Sequence, residues 1–240
     1  MQSDPKPFFP RVNVTFSTFR VLIVLFAVLQ GAQCFWLLSA EFLRPRIDRL
    51  PIGSASINTA NSQRHAAAVA ASIGLIRGDL WADAAFAYTN LLSTNSQQGN
   101  NLRDMLISAR EDLLNAVKYA PHDSDAWLLL AELSSRYPTS DSNTVAALKM
   151  SYYTGPSDKR LIPIRLTTAV HSNFANDFEM RQFVTRDLRV LLAQQQKTAI
   201  IAAYNGASPA GKAFIEHALG EIDPSAVQWL HGQGQSQPSK

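Results

Sequence analysis

An apolar run, Val21 to Leu38 (VLIVLFAVLQGAQCFWLL), lies between Arg20 on one side and Glu41, Arg44, Arg46 and Arg49 on the other. At about 1.5 Å of rise per residue it is roughly 27 Å long as a helix, and extension through Phe42 and Leu43 reaches the roughly 30 Å of a hydrocarbon core. Residues 19–43 are therefore expected to form one transmembrane helix behind an N-terminal tail, 1–18. Whatever follows must fold beside a bilayer.

The flanks separate three uses of such a segment. A cleaved signal peptide ends in small residues at the third and first positions before the cut. Leu38-Ser39-Ala40 puts a bulky leucine at the first of these. Lipidation of Cys34 would need a small residue where Gln33 stands, and Phe35-Trp36-Leu37-Leu38 prolongs the apolar run beyond it. A retained anchor is the expectation.

Cys34 is the single cysteine, so neither an intramolecular disulfide nor a cysteine metal site can form. Ala27 and Gly31 have the small-xxx-small spacing that lets helices approach, and Gln30 and Gln33 are polar within the span. Lateral self-association through the helix is thus allowed. Trp36 stands near the end, where an indole settles among headgroups. Lys6, Arg11 and Arg20 before the span balance Arg44, Arg46 and Arg49 after it, so the positive-inside rule gives a tie. The short N-terminal tail favours the tail inside and the domain outside: a single-pass inner-membrane protein with a periplasmic domain.

The 240 residues carry a net charge of only +3 with no dense Lys/Arg run, which argues against a nucleic-acid partner. After the anchor there is room for one ordinary domain with a real core. Residues 44–61, with Pro45, Pro51 and Gly53, read as a linker. From Ser62 onward the apolar period is helical. Ala66 to Ile76 and Leu80 to Leu92 flank a Gly78-Asp79 break, and Leu106, Ala109, Leu113, Ala116 and Val117 share one face of Leu102 to Tyr119.

Asp123-Ser124-Asp125 supplies caps for Ala126 to Tyr137, with Trp127, Leu130, Ala131 and Leu133 as its buried stripe. Thr144 to Tyr153 follows, closed by Gly155-Pro156. Beyond it come Leu161 to Val170, Asp177 to Gln195, Lys197 to Tyr204, Ala210 to Leu219 and Ser225 to Leu230, the last two opened by Ser208-Pro209 and Asp223-Pro224. Arg181 falls within the apolar stripe of its helix and must reach solvent or pair. No segment alternates with period two between hairpin turns, so the fold class is all-α.

Trp127, Leu130 and Ala131, then Leu148, Ser151 and Pro156, resemble the tetratricopeptide repeat pattern. Ala109, Leu113, Ala116 and Pro121 are similar to the second half of a preceding repeat. The sequence departs from the pattern at Ser134, where the family has an aromatic residue, and over the looser stretch from Ser135 to Asn143. The resemblance implies helical repeats over 62–156 that present a surface to a protein partner. Residues 157–230 read as a C-terminal helical region capping the stack, and 231–240 as a disordered tail.

Chemistry is sparse. His65, His122, His171, His217 and His231 are scattered, and His217 with Glu216 and Glu221 has the spacing of an ordinary surface pair. Gly206 to Lys212 (GASPAGK) has P-loop spacing, but Ala213 stands where a hydroxyl would hold magnesium, and Ser208-Pro209 reads as a helix cap. Lys159, Arg160 and Arg165, and separately Arg181, Arg186 and Arg189, read as solvated faces. No catalytic, cofactor-binding or metal residue is assigned, and no cofactor or enzyme activity is expected. The expectation is a membrane-anchored scaffold or adaptor, in envelope assembly or polysaccharide export. The alternatives are a membrane-tethered regulatory subunit with a cytoplasmic domain, or an enzyme whose site is assembled from distant residues.

Overall fold

The computed structural model describes residues 12–47, 49, 57–94, 99–139 and 143–233. Among them every regular element is helical. The order is α1 (Val12–Leu43), α2 (Ile57–Ile73), α3 (Gly78–Thr94), α4 (Gly99–Tyr119), α5 (Ser124–Arg136), α6 (Thr144–Thr154), α7 (Ile162–Val170), a 3-10 turn (Phe174–Asn176), α8 (Phe178–Ala193), α9 (Lys197–Gly206), α10 (Pro209–Ile222) and α11 (Pro224–Gln233). The all-α class is the one that the apolar period indicates. Thr18–Leu43 within α1 is long and apolar enough to cross a membrane, and its apolar window is not buried against the rest of the chain.

Local chemistry sets many of the helix starts. The Asp123 carboxylate accepts from the amides of Asp125 and Ala126, Asn143 accepts from Ala146, Asp177 from Met180 and Ser208 from Gly211. Each side chain satisfies first-turn N–H groups that have no partner within the helix. Pro163 sits in the first turn of α7, where its lack of an amide hydrogen costs nothing.

Neighbouring helices form antiparallel pairs. Arg64 in the first half of α2 lies over Tyr88 in the second half of α3, and Gly78 at the start of α3 abuts Ala116 and Ala120 at the end of α4. Ser151 in the last turn of α6 donates to the carbonyl of Ser124, where α5 begins. From α5 onward the helices also pack two apart, α5 on α7 on α9 and α6 on α8 on α10. Within these rows the helices run parallel: His171 and Gly206 bring together the ends of α7 and α9, and Lys149 and Tyr152 of α6 meet Asp177 and Phe183 along α8. The helices after Pro156 therefore extend the same two-row stack.

One continuous apolar core runs from Ala82 to Leu230, and a smaller one joins Ala40 of α1 to Ala67, Ala70 and Ala71 of α2 and to Leu80, Ala84 and Ala87 of α3. The small side chains let backbones approach closely, and the leucines fill the spaces between them. In α5, Leu128 and Leu129 are buried as well as Leu130, Ala131 and Leu133, while Trp127 is half-buried and donates its indole N–H to the Pro121 carbonyl. A helix flanked by α4, α6 and α7 buries more than one stripe.

Several boundaries differ from the sequence reading. The linker is shorter than expected, because α2 begins at Ile57, and Arg44, Pro45, Ile47 and Arg49 are partly buried against the domain. Residues Gly74 to Arg77 form a turn where helix was expected up to Ile76. Helix α11 continues through Gln233, into the stretch expected to be disordered. Residues 1–11, 48, 50–56, 95–98, 140–142 and 234–240 lie outside the described residues.

Candidate functional site

Just after α1, Arg44 and Arg49 are partly buried and paired with carboxylates of the domain. Arg44 Nε is 2.6 Å from Asp83 Oδ2, and its Nη1 is 3.0 Å from Asp79 Oδ2. Arg49 Nε is 2.8 Å from Asp83 Oδ1, and its Nη1 is 2.8 Å from Asp123 Oδ2. A third guanidinium, Arg77, bridges Asp79 at 2.6 Å and Glu41 at 2.8 Å. Asp79 and Asp83 can share these partners because they lie four residues apart on one face of α3.

Burial lowers the Arg49 pKa, but Asp83 and Asp123 outweigh it, and the guanidinium stays raised above its ordinary value. Burial raises the Asp79 carboxyl, and Arg77 and Arg44 overcome this to leave it lowered. The network locks the end of α1, the following segment and the starts of α3 and α5 into one unit. Arg44 and Arg49, which follow the apolar span, thus hold carboxylates of the domain.

A second polar cluster is dry. Tyr152, Arg165 and Asp187 are each at most 1% exposed. The Tyr152 hydroxyl donates to Asp187 Oδ2 at 2.8 Å, Arg165 Nε donates to Ser151 Oγ at 3.0 Å, and the Arg165 guanidinium lies 4.7 Å from the Tyr152 ring centroid. Arg186 lies over both Tyr152 and Phe183, whose rings stack 4.5 Å apart. Burial pushes the Asp187 carboxyl and the Tyr152 phenol up and the Arg165 guanidinium down. Arg165 is thus no member of a solvated face. Arg160, which was grouped with it, pairs with Asp125 and Asp158. The dry cluster joins α6, α7 and α8.

Arg181 is exposed and lies over the Phe178 ring, which resolves its place in an apolar stripe. The GASPAGK segment is the junction of two helices: α9 ends at Gly206, and Ser208 caps α10. His217 and Glu221 form an exposed pair at 3.8 Å. Among the described residues no three His, Cys, Asp or Glu side chains are grouped to hold a metal ion.

The row α5, α7, α9 carries a cleft of about 320 Å³ between Glu132 and Ser135 of α5, Ile164 and Thr167 of α7, and Ala199 and Ala202 of α9. Arg136 Nη2 holds Glu132 Oε1 at 2.7 Å. The other carboxylate oxygen, Oε2, and the Ser135 hydroxyl are buried without hydrogen-bond partners. On the cleft wall His171 Nδ1 lies 2.6 Å from the Thr167 carbonyl and donates to it, which makes Nε2 an acceptor in the neutral ring. A second cleft of about 570 Å³, between α4 and α5, shares Arg136 and adds Arg103, Arg110, Ile107 and Tyr137. The sequence reading did not find Glu132, because one glutamate in a helix shows no sign of which neighbour covers it.

Comparison with protein-family models, curated proteins and solved structures gave no match, so the tetratricopeptide resemblance rests on the residues that carry it.

Proposed function

We propose that this protein is a membrane-anchored scaffold or adaptor that holds a protein partner on the face formed by α5, α7 and α9. The observation that carries the reading is Glu132, which lines the cleft of that face and whose Oε2 is buried without a hydrogen-bond partner. A buried carboxylate oxygen without a donor is costly, and a lysine or arginine side chain from a partner would satisfy it. Ile164, Ala199 and Ala202 would give the same side chain an apolar bed. The antiparallel pairs α3/α4 and α5/α6 support a tetratricopeptide-like origin of this face, with α4 and α6 in the places of second helices.

In this reading α1 anchors the chain in an inner membrane and the domain lies on the periplasmic side. A reporter fused after Lys240 tests the side of the membrane. A photo-crosslinker at Thr167, used in native membranes and followed by mass spectrometry, tests the face. A discrete protein adduct that Glu132→Gln weakens at least several-fold supports the assignment. Adducts no different from those formed at Gln182, on the other row, overturn it.

A further inference from the structure

We propose that the turn between α2 and α3 is a membrane-contact element, with Leu75 and Ile76 seated in the bilayer interface beside α1. The inference rests on α1 spanning a bilayer. Leu75 and Ile76 are consecutive, 56% and 63% exposed, and form the tip of the turn Gly74–Arg77.

The level of that tip follows from the contacts along α1 and α2. Gln63 of α2 donates to the Arg46 carbonyl, beyond the span, while Ala67, Ala70 and Ala71 pack with Ala40. Helix α2 thus runs back toward the membrane and continues past Ala71 by about 3 Å before the turn. On the return, Arg77 meets Glu41, Asp79 and Asp83 meet Arg44, and Asp83 and Phe86 meet Arg49, so α3 climbs away from the membrane in step with the chain after α1. The turn therefore lies at the level of the last residues of the span. Leu38 and Phe42, exposed on α1, share that level.

Part of the turn's backbone is satisfied within the protein. The Leu75 carbonyl accepts from the Trp81 indole at 3.1 Å, the Gly74 amide donates to the Ala70 carbonyl, and the Arg77 amide donates to Gly74. Satisfied backbone groups enter an interface at much lower cost than bare ones. The Arg77 guanidinium, the nearest charge in sequence, is held by Glu41 and Asp79. A Cβ on Gly74 would lie 2.4 Å from a Leu80 methyl, so the turn is already pressed onto α3, and its two apolar tips remain exposed. Lipid is the apolar phase within their reach.

The test uses the full chain with Cys34→Ser, reconstituted in phosphatidylcholine vesicles. An environment-sensitive fluorophore is attached at Ile76→Cys, with Val24→Cys in the span and Tyr153→Cys at an exposed position of α6 as references. Spin-labelled lipid is expected to quench position 76 several-fold more than position 153, with a blue-shifted emission and protection from aqueous iodide. If position 24 is quenched by lipid while position 76 behaves like position 153, the turn does not touch the bilayer, although α1 spans it. If neither position 24 nor position 76 is quenched, the spanning reading and the turn proposal fall together.

Discussion

Arg44 Nε lies 2.6 Å from Asp83 Oδ2 and ties the end of α1 to the second turn of α3. Asp83 is 4% exposed and also holds Arg49. Asp83→Ala leaves two partly buried guanidiniums short of a carboxylate. A loss of roughly 2–4 kcal/mol is expected, below the cost at a fully dry pair because both arginines keep some solvent contact. Thermal unfolding of the full chain in detergent checks the loss, and trypsin should cut faster after Arg46 and Arg49.

The hydroxyl of Tyr152 is a donor to a carboxylate that burial has already raised. Tyr152→Phe keeps the ring stacked on Phe183 and removes that donor, at an expected cost of about 1–3 kcal/mol. The sign with pH is defined. A raised Asp187 pKa means that its contribution is fully present below the unfolded carboxylate value and is lost as pH rises through the folded one. Loss of the Tyr152 hydrogen bond raises the folded value further. The penalty of Tyr152→Phe should therefore be larger at pH 8 than at pH 5, measured as the difference in Tm from the parent protein.

Asp112 on α4 has its carboxyl pushed up to about 7, first by burial and then by the neighbouring Glu111 charge. Its contribution to stability is complete below 3.8 and is lost as pH rises through about 7. Asp112→Asn stays neutral throughout. The Tm of the variant relative to the parent should rise between pH 5 and pH 8, and a flat difference would count against a raised pKa.

Gly78 opens α3 where a Cβ would lie 2.6 Å from the Ala116 carbonyl oxygen and the Ala120 amide nitrogen, both backbone atoms. Gly78→Ala must push α3 away from α4, and about 1–3 kcal/mol of destabilisation is expected. Gly220 in α10 is the internal contrast. A Cβ there meets only a Val227 methyl at 3.9 Å, so Gly220→Ala should stabilise by about 0.5–1 kcal/mol through helix propensity. Chemical denaturation of the two variants side by side checks the opposite signs.

The helices were legible from the sequence because their causes are local. Asp123, Asp177 and Ser208 cap helices from one to three residues away, and Leu113, Ala116 and Leu148 are buried where the helical period puts them. The apolar run from Val21 to Leu38 likewise fixes the character of α1 by its length and composition. Arg165 and Asp187 could not be read in this way. Both look like surface residues in sequence, and only the packing of α6, α7 and α8 decides that they are dry. The stretch after Leu43 had the prolines and small polar residues of a linker, yet Arg49 meets Asp123 across 74 residues. Hydrogen bonds and periodicity act over a few residues and are written along the chain. Which charge meets which, and which helix face finds no neighbour, depends on distances set when α2 turns back toward the end of α1 and the two rows of helices close.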